Sequence, residues 1–171
     1  MYTAPRRLRK GASVAIVAPA SPFKGDELTA GLDVIREMGL NPVLGPCVRS
    51  LRSDGIHAAS VADRVEEMNW AYRDPKISGI IPVVGGCGSA GILPYLDYEM
   101  IRKMRKPMLG MSDITALNTG FLTEANLISI SGQSPSIRLD KGLAVREADS
   151  ESLRLALRLM MSDAPWGEQP W

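Results

Sequence analysis

The chain has 171 residues, 45% hydrophobic and 23% charged, which suits one globular domain with its own core and excludes a second full domain. Lys and Arg (20) balance Asp and Glu (19), and the one basic cluster, Arg6-Arg7-Leu8-Arg9-Lys10, is too small and local for a nucleic-acid surface, so small or neutral ligands are expected. Two cysteines, Cys47 and Cys87, exclude a disulfide framework and zinc-type spacing, and the short apolar run near the N-terminus is too short for a membrane span, so a reduced cytoplasmic chain with no metal and no cofactor is expected.

In chain order, residues 14–18 form a β-branched apolar run that predicts a strand covered on both faces, stopped by Pro19-Ala20-Ser21-Pro22. Asp26 is expected to cap a helix carrying Leu28, Leu32, Ile35 and Met38 and ending at Gly39. Pro42-Val43-Leu44-Gly45 reads as a short strand, and residues 49–59 as a polar loop with a mobile tip that covers a site. Ser60 opens a helix whose Val61, Val65, Met68 and Tyr72 share a face, closing before Pro75. Residues 77–84 form the next strand, followed by Gly85-Gly86-Cys87-Gly88-Ser89 and a helical pattern at Ile92, Leu93 and Leu96.

A short helix over 98–104 then leads to a fourth strand over 108–111. Ser112 is expected to cap a helix with Ile114, Leu117, Phe121 and Leu122 on one stripe, before a fifth strand over 127–130. Residues 131–142 read as a loop and 150–161 as a closing helix with Leu153, Leu157 and Met160 on one side. The alternation predicts an α/β fold: three layers, an open, mostly parallel sheet with helices on both faces, flavodoxin-like or class I amidotransferase-like. Residues 1–164 would form this domain, and the Pro- and Trp-bearing stretch 165–171 would begin a linker to a further domain.

Ligands of open parallel sheets bind outside the carboxyl ends of the strands. Those ends carry Ser21, the Gly85 to Ser89 turn, Ser112-Asp113 and Ser131-Gly132-Gln133. Only the glycine turn combines conformational freedom with two nucleophile candidates. Ser89 at a helix start would expose its hydroxyl, with the N–H groups of Gly86 and Ala90 available to an oxyanion. Cys87 is the rival, because Gly85-Gly86-Cys87-Gly88 partly satisfies the elbow of thiol amidotransferases. The same glycines also suit a plain tight turn or a phosphate cradle. The single histidine, His57, lies in the polar loop, where a solvated side chain is the simpler reading than a general base.

The series Val14-Ala15-Ile16-Val17-Ala18-Pro19-Ala20-Ser21-Pro22, Asp74-Pro75, Gly85-Gly86-Cys87-Gly88-Ser89 with Leu93-Pro94-Tyr95-Leu96-Asp97-Tyr98, and Gly110-Met111-Ser112-Asp113-Ile114-Thr115-Ala116-Leu117 resembles the N-terminal half of the serine LD-carboxypeptidases, a family that includes the microcin C self-immunity peptidases. The resemblance implies a nucleophile at Ser89, an oxyanion hole at Gly86 and Ala90, and Ser21, Ser112 and Asp113 as substrate-lining residues. It implies hydrolysis of amide bonds in murein-derived or other peptidyl substrates, within peptidoglycan recycling. It also implies a Glu and a His carried by a C-terminal domain, which no residue here matches. The chain would then be truncated and lack its base, with a homodimer or a separate C-terminal-half polypeptide as expected partners. Two further readings stand beside this one: a peptide or amino-acyl binding module without catalysis, and a hydrolase using the Cys87 thiol.

Overall fold

In the computed structural model, which describes residues 2–51, 53–137 and 142–162, the first apolar run forms β1 (Ser13–Val17), buried from Val14 onward. It is central: β2 (Asn41–Leu44) pairs with one edge and β3 (Ile77–Pro82) with the other, both parallel, in the order β2-β1-β3. Pro42 sits on the outer strand, where its missing N–H interrupts no central ladder. Successive side chains of β1 point to opposite faces, and both faces are apolar. Val14 and Ile16 join one core with Ile81, Val83 and residues of α1 (Gly25–Glu37) and α6 (Leu143–Met161). Ala15 and Val17 join a second with Ile80 and residues of α3 (Val61–Arg73), α4 (Tyr98–Met104) and α5 (Thr115–Glu124). The result is the predicted three-layer α/β arrangement. Each fully buried Val or Ile contributes about 1.5–3 kcal/mol through the water it sheds.

The predicted fourth and fifth strands are reduced to isolated parallel bridges, Ile80 with Met108, Leu109 with Ile130 and Thr3 with Leu127. Pro107 and Gly110 leave only two residues between them for pairing, but the hydrogen bonds are complete: Leu109 N–H donates to Ile80 O (3.0 Å) and Gly110 N–H to Ile130 O (2.9 Å). Parallel order therefore continues past β3, so the carboxyl ends of all these segments open on one edge.

Helix boundaries follow local chemistry with several corrections. Gly39, at φ +79°, closes α1, with its N–H on Arg36 O (2.8 Å) and the Leu40 N–H on Ile35 O (3.2 Å). Asp26 is not the cap; the helix starts at Gly25, and Asp26 stands in the first turn beside Glu27, where its charge meets the helix dipole. Between the predicted second strand and the stretch read as loop, and overlapping the first two residues of that loop, residues 46–50 form α2 (Pro46–Ser50), begun by a proline suited to a first helical position and capped from outside by Glu67. Ser60 does cap α3, accepting the Asp63 N–H. The buried face of α3 is rotated from the predicted stripe, however: Val61 is 41% exposed, while Arg64, Glu67, Met68, Ala71 and Tyr72 point inward. α6 begins at Leu143, ahead of the predicted start at 150. The predicted linker at 165–171 lies outside the described residues. Among the described residues no helix is long and apolar enough to cross a membrane.

The end of α3 is tied to the sheet by Lys106, which is buried and donates through Nζ to the carbonyls of Ala71 (2.9 Å) and Asp74 (2.6 Å). Burial pulls its pKa down to about 8 against the opposing pull of Asp74. Lys106→Met removes the donor from two carbonyls at a helix C-terminus. We expect a loss of about 2–3 kcal/mol in chemical denaturation, in keeping with removal of a buried charged donor.

Candidate active site

The loop after β1 and the turn after β3 are joined by main-chain and hydroxyl contacts. Ser21 N–H donates to Gly85 O (3.1 Å), and Ser21 Oγ accepts from Cys87 N–H (3.0 Å). Gly86 and Gly88 have φ of +97° and +102°, the left-handed region that favours glycine, and a side chain would strike Ser21 at the first and His57 at the second. Ser21 thus supports the turn as well as facing the loop cluster.

Beneath the turn lies Arg64, 1% exposed. Its guanidinium donates to Ala59 O (3.0 Å), Pro19 O (2.7 Å) and Gly88 O (2.9 Å), so one side chain holds the loop after β1, the entry to α3 and the glycine turn. Glu67, one turn further along α3, does the same for β1 and α2. Its carboxylate accepts from Ala18 N–H (2.7 Å), Cys47 N–H (2.8 Å) and Val48 N–H (3.4 Å), while burial, outweighing these bonds, raises its pKa. Sequence reasoning missed both. The available signal was their spacing: each stands four residues before an inward residue of the same helix, Met68 and Ala71.

Ser89 does not have the exposed hydroxyl expected of it. It is 0% exposed, at the start of a 3-10 helix (Ser89–Tyr95). Its N–H donates to Asp113 Oδ2 (2.9 Å) and its Oγ–H to the carbonyl of Asp113 (2.6 Å). The turn is tight enough to fold its first helical residue under the neighbouring loop, which is why the hydroxyl points inward.

Of Ser89 and Ser112, the exposed one is Ser112. It is not the predicted cap; the backbone reaches φ +58° there, uncommon for a residue with a side chain, and continues into a 3-10 turn (Ser112–Ile114) and α5. The turn is tight on both sides. A side chain at Gly110 would collide with Ile114, and one at Gly85 would come within 3.0 Å of Ser112 Cβ and 3.2 Å of Asp113 N. Asn118 Nδ2 donates to Gly110 O (3.0 Å), anchoring the start of the turn. The fold brings Ser21, Gly86, Ser89, Ser112 and Asp113 into neighbouring loops, with Ser89 buried and Ser112 exposed. Ala90 is exposed on the 3-10 helix.

His57 Nδ1 pairs with Asp54 Oδ2 at 2.9 Å, and its ring packs against Gly88. The His57 backbone N–H, its ring and the Ile56 N–H together hold the Asp54 carboxyl well below the usual range. The cysteines differ sharply. Cys87 is exposed, its sulfur 3.7 Å from Ser21 Oγ. Cys47 is buried, and desolvation, aided by Glu67, pushes its thiol up to about 12.

An open parallel sheet whose polar loops meet at its carboxyl edge defines an α/β protein, and ligands of such sheets bind at that edge. The chain belongs to the LD-carboxypeptidase family: residues 14–132 match its LD-carboxypeptidase N-terminal domain. It is 38% identical over 130 residues to a putative carboxypeptidase of Streptomyces coelicolor, covering 75% of this chain and 42% of that one. With a probable murein peptide carboxypeptidase of Bacillus subtilis it shares 32% over 139 residues, covering 81% and 42%. Among solved structures, an MccF-like protein from Bacillus anthracis superposes with a TM-score of 0.77 at 28% identity, covering 91% of this chain and 47% of that one. The microcin C7 self-immunity protein MccF in complex with aspartyl sulfamoyl adenosine has the same fold, at TM-score 0.80, 23% identity and coverage of 96% and 48%. The chain spans less than half the length of these relatives.

Two outcomes are expected. Arg64→Met, which leaves three loop carbonyls without their donor, should cost about 3 kcal/mol in denaturant unfolding, with Arg64→Lys recovering only part because a single ammonium cannot reproduce the fork. Iodoacetamide at pH 8 should alkylate Cys87 in the native protein and spare Cys47 until denaturant is added, read by mass spectrometry.

Proposed function

We propose that this chain is the nucleophile-bearing half of a serine peptidase of LD-carboxypeptidase type, acting on an amide bond in murein-derived or peptidyl substrates, with Ser112 as the nucleophile. The observation that carries this is the Ser112 turn: an exposed serine at positive φ, between a strand end and a helix, packed so closely that Gly110 and Gly85 must lack side chains. Strained strand-to-helix turns of this kind hold a nucleophile clear of its own backbone. Ser89, the nucleophile expected from the resemblance, is buried and already donates its proton to a carbonyl.

In the reaction, Ser112 Oγ attacks the amide carbonyl carbon as a base takes its proton. The carbonyl oxygen becomes an oxyanion held by the N–H of Asp113, the residue after the nucleophile, and an N–H of the Gly85–Gly86 turn. Expulsion of the amine, protonated by the same base, leaves an acyl-serine that water hydrolyses. Gly86 keeps its expected role and Ala90 loses it. No hydrogen bond joins His57 to Ser112 among the described residues, and, following the family resemblance, we assign the base to a Glu-oriented His in the portion of relatives that this chain does not span. Ser21 holds the Cys87 N–H and supports the rim of the substrate site. Cytoplasmic peptidoglycan recycling and a partner carrying the C-terminal half belong to the same proposal.

The second reading, a peptide-binding module without chemistry, is favoured by the lack of a hydrogen bond, among the described residues, between Ser112 and His57, the one histidine of the sequence. With the full-length protein and a murein tetrapeptide, Ser112→Ala should lower kcat by about 10³-fold or more. Cys87→Ala should leave turnover within a few-fold, against a thiol mechanism. Calorimetric binding without turnover, unchanged by Ser112→Ala, would establish the binding module instead.

A further inference from the structure

We infer that Ser89 is a positioning residue that locks the Ser112 turn in its reactive geometry, an inference that rests on the assignment of Ser112 as nucleophile. Both hydrogen bonds of Ser89 go to one residue. Its N–H takes the Asp113 carboxylate and its hydroxyl takes the Asp113 main-chain carbonyl, at 2.9 and 2.6 Å. The side chain and the backbone carbonyl of the residue next to Ser112 are thereby fixed from a single point.

The other end of the turn is held separately. Asn118 Nδ2 binds Gly110 O at 3.0 Å and Ile130 O accepts the Gly110 N–H at 2.9 Å, while the Gly85 backbone closes the side facing Ser112 Cβ. Ser112 therefore sits at positive φ between residues 110 and 113, each clamped by groups remote in sequence. A conformation that a serine leaves readily in a free loop persists because its neighbours are over-determined.

Ser89 is in turn fixed by its own turn. Gly88 O, immediately before it, is held by Arg64 Nη1 at 2.9 Å, and Arg64 also holds Pro19 O. A continuous chain of hydrogen bonds thus runs from the loop after β1, through Arg64, Gly88 and Ser89, to Asp113. Its function is to set the angle between the Asp113 N–H and the substrate carbonyl, an interaction that strengthens only as the oxyanion develops. Such a lock acts on kcat and leaves ground-state binding alone.

The test uses the full-length protein with Ser89→Ala and Ser89→Cys, the latter keeping a weak donor on a slightly larger atom. We expect Ser89→Ala to lower kcat on a murein tetrapeptide by about 10–100-fold with KM within about twofold, the size of effect that follows small misplacement of an oxyanion donor. Ser89→Cys should fall between that variant and the wild type. Hydrogen exchange of peptides spanning 112–115 should quicken about 10-fold or more in Ser89→Ala, with α1 and α6 unchanged. Wild-type kcat and unaltered exchange in Ser89→Ala would overturn the lock. Loss of turnover in Ser89→Ala alongside an active Ser112→Ala would make Ser89 the nucleophile and overturn both assignments. If the wild type turns over no murein peptide, the substrate reading fails on its own, and the exchange measurement still decides the lock: quickened exchange sustains it and unchanged exchange refutes it.

Discussion

The architecture of the carboxyl edge depends on one buried cation. Arg64 sits beneath three loops and donates to a carbonyl from each, at distances of 2.7–3.0 Å. A guanidinium in an apolar interior costs several kcal/mol unless its donors are satisfied, and loop carbonyls turned inward carry a similar penalty. Placing them together removes both. It also couples the geometry of the glycine turn to that of α3, so that the position of residues 85–89 follows from the packing of a helix and does not rest on the turn alone.

Glu67 performs the complementary task. Where Arg64 gathers acceptors, Glu67 gathers donors, the N–H groups of Ala18 at the end of β1 and of Cys47 and Val48 at the start of α2. A helix as short as α2 has little stability of its own, and a buried carboxylate at its N-terminus supplies what its sequence does not. Gly45 is required beside it because a side chain there would meet the carboxylate. Two charged residues three positions apart on α3 therefore organise opposite ends of the same loop cluster.

Much of the fold was legible in sequence because it depends on short-range patterns. Continuous β-branched runs gave β1 and β3, Ser60 marked the start of α3, and Gly39 marked the end of α1. The α3 stripe was misread for a physical reason: burial of a charged residue becomes favourable only when partners from elsewhere in the chain satisfy it, and periodicity weighs such residues as solvent-facing. α2 was hidden because its stabilising cap lies on another helix. Strands four and five shortened to bridges because pairing length depends on neighbours and not on apolar content.

The amino-acid sequence by itself determined the order of elements, the parallel sheet, the edge at which polar loops gather and the family to which the chain belongs, since each rests on local periodicity or on motifs read in order. Only the tertiary structure decided which serine is presented. Ser89 and Ser112 both follow strand segments and both precede helical turns, so local chemistry makes them equivalent. What separates them is a contact across 24 positions, in which Asp113 accepts the hydroxyl of one serine and, by doing so, supports the turn that holds the other open.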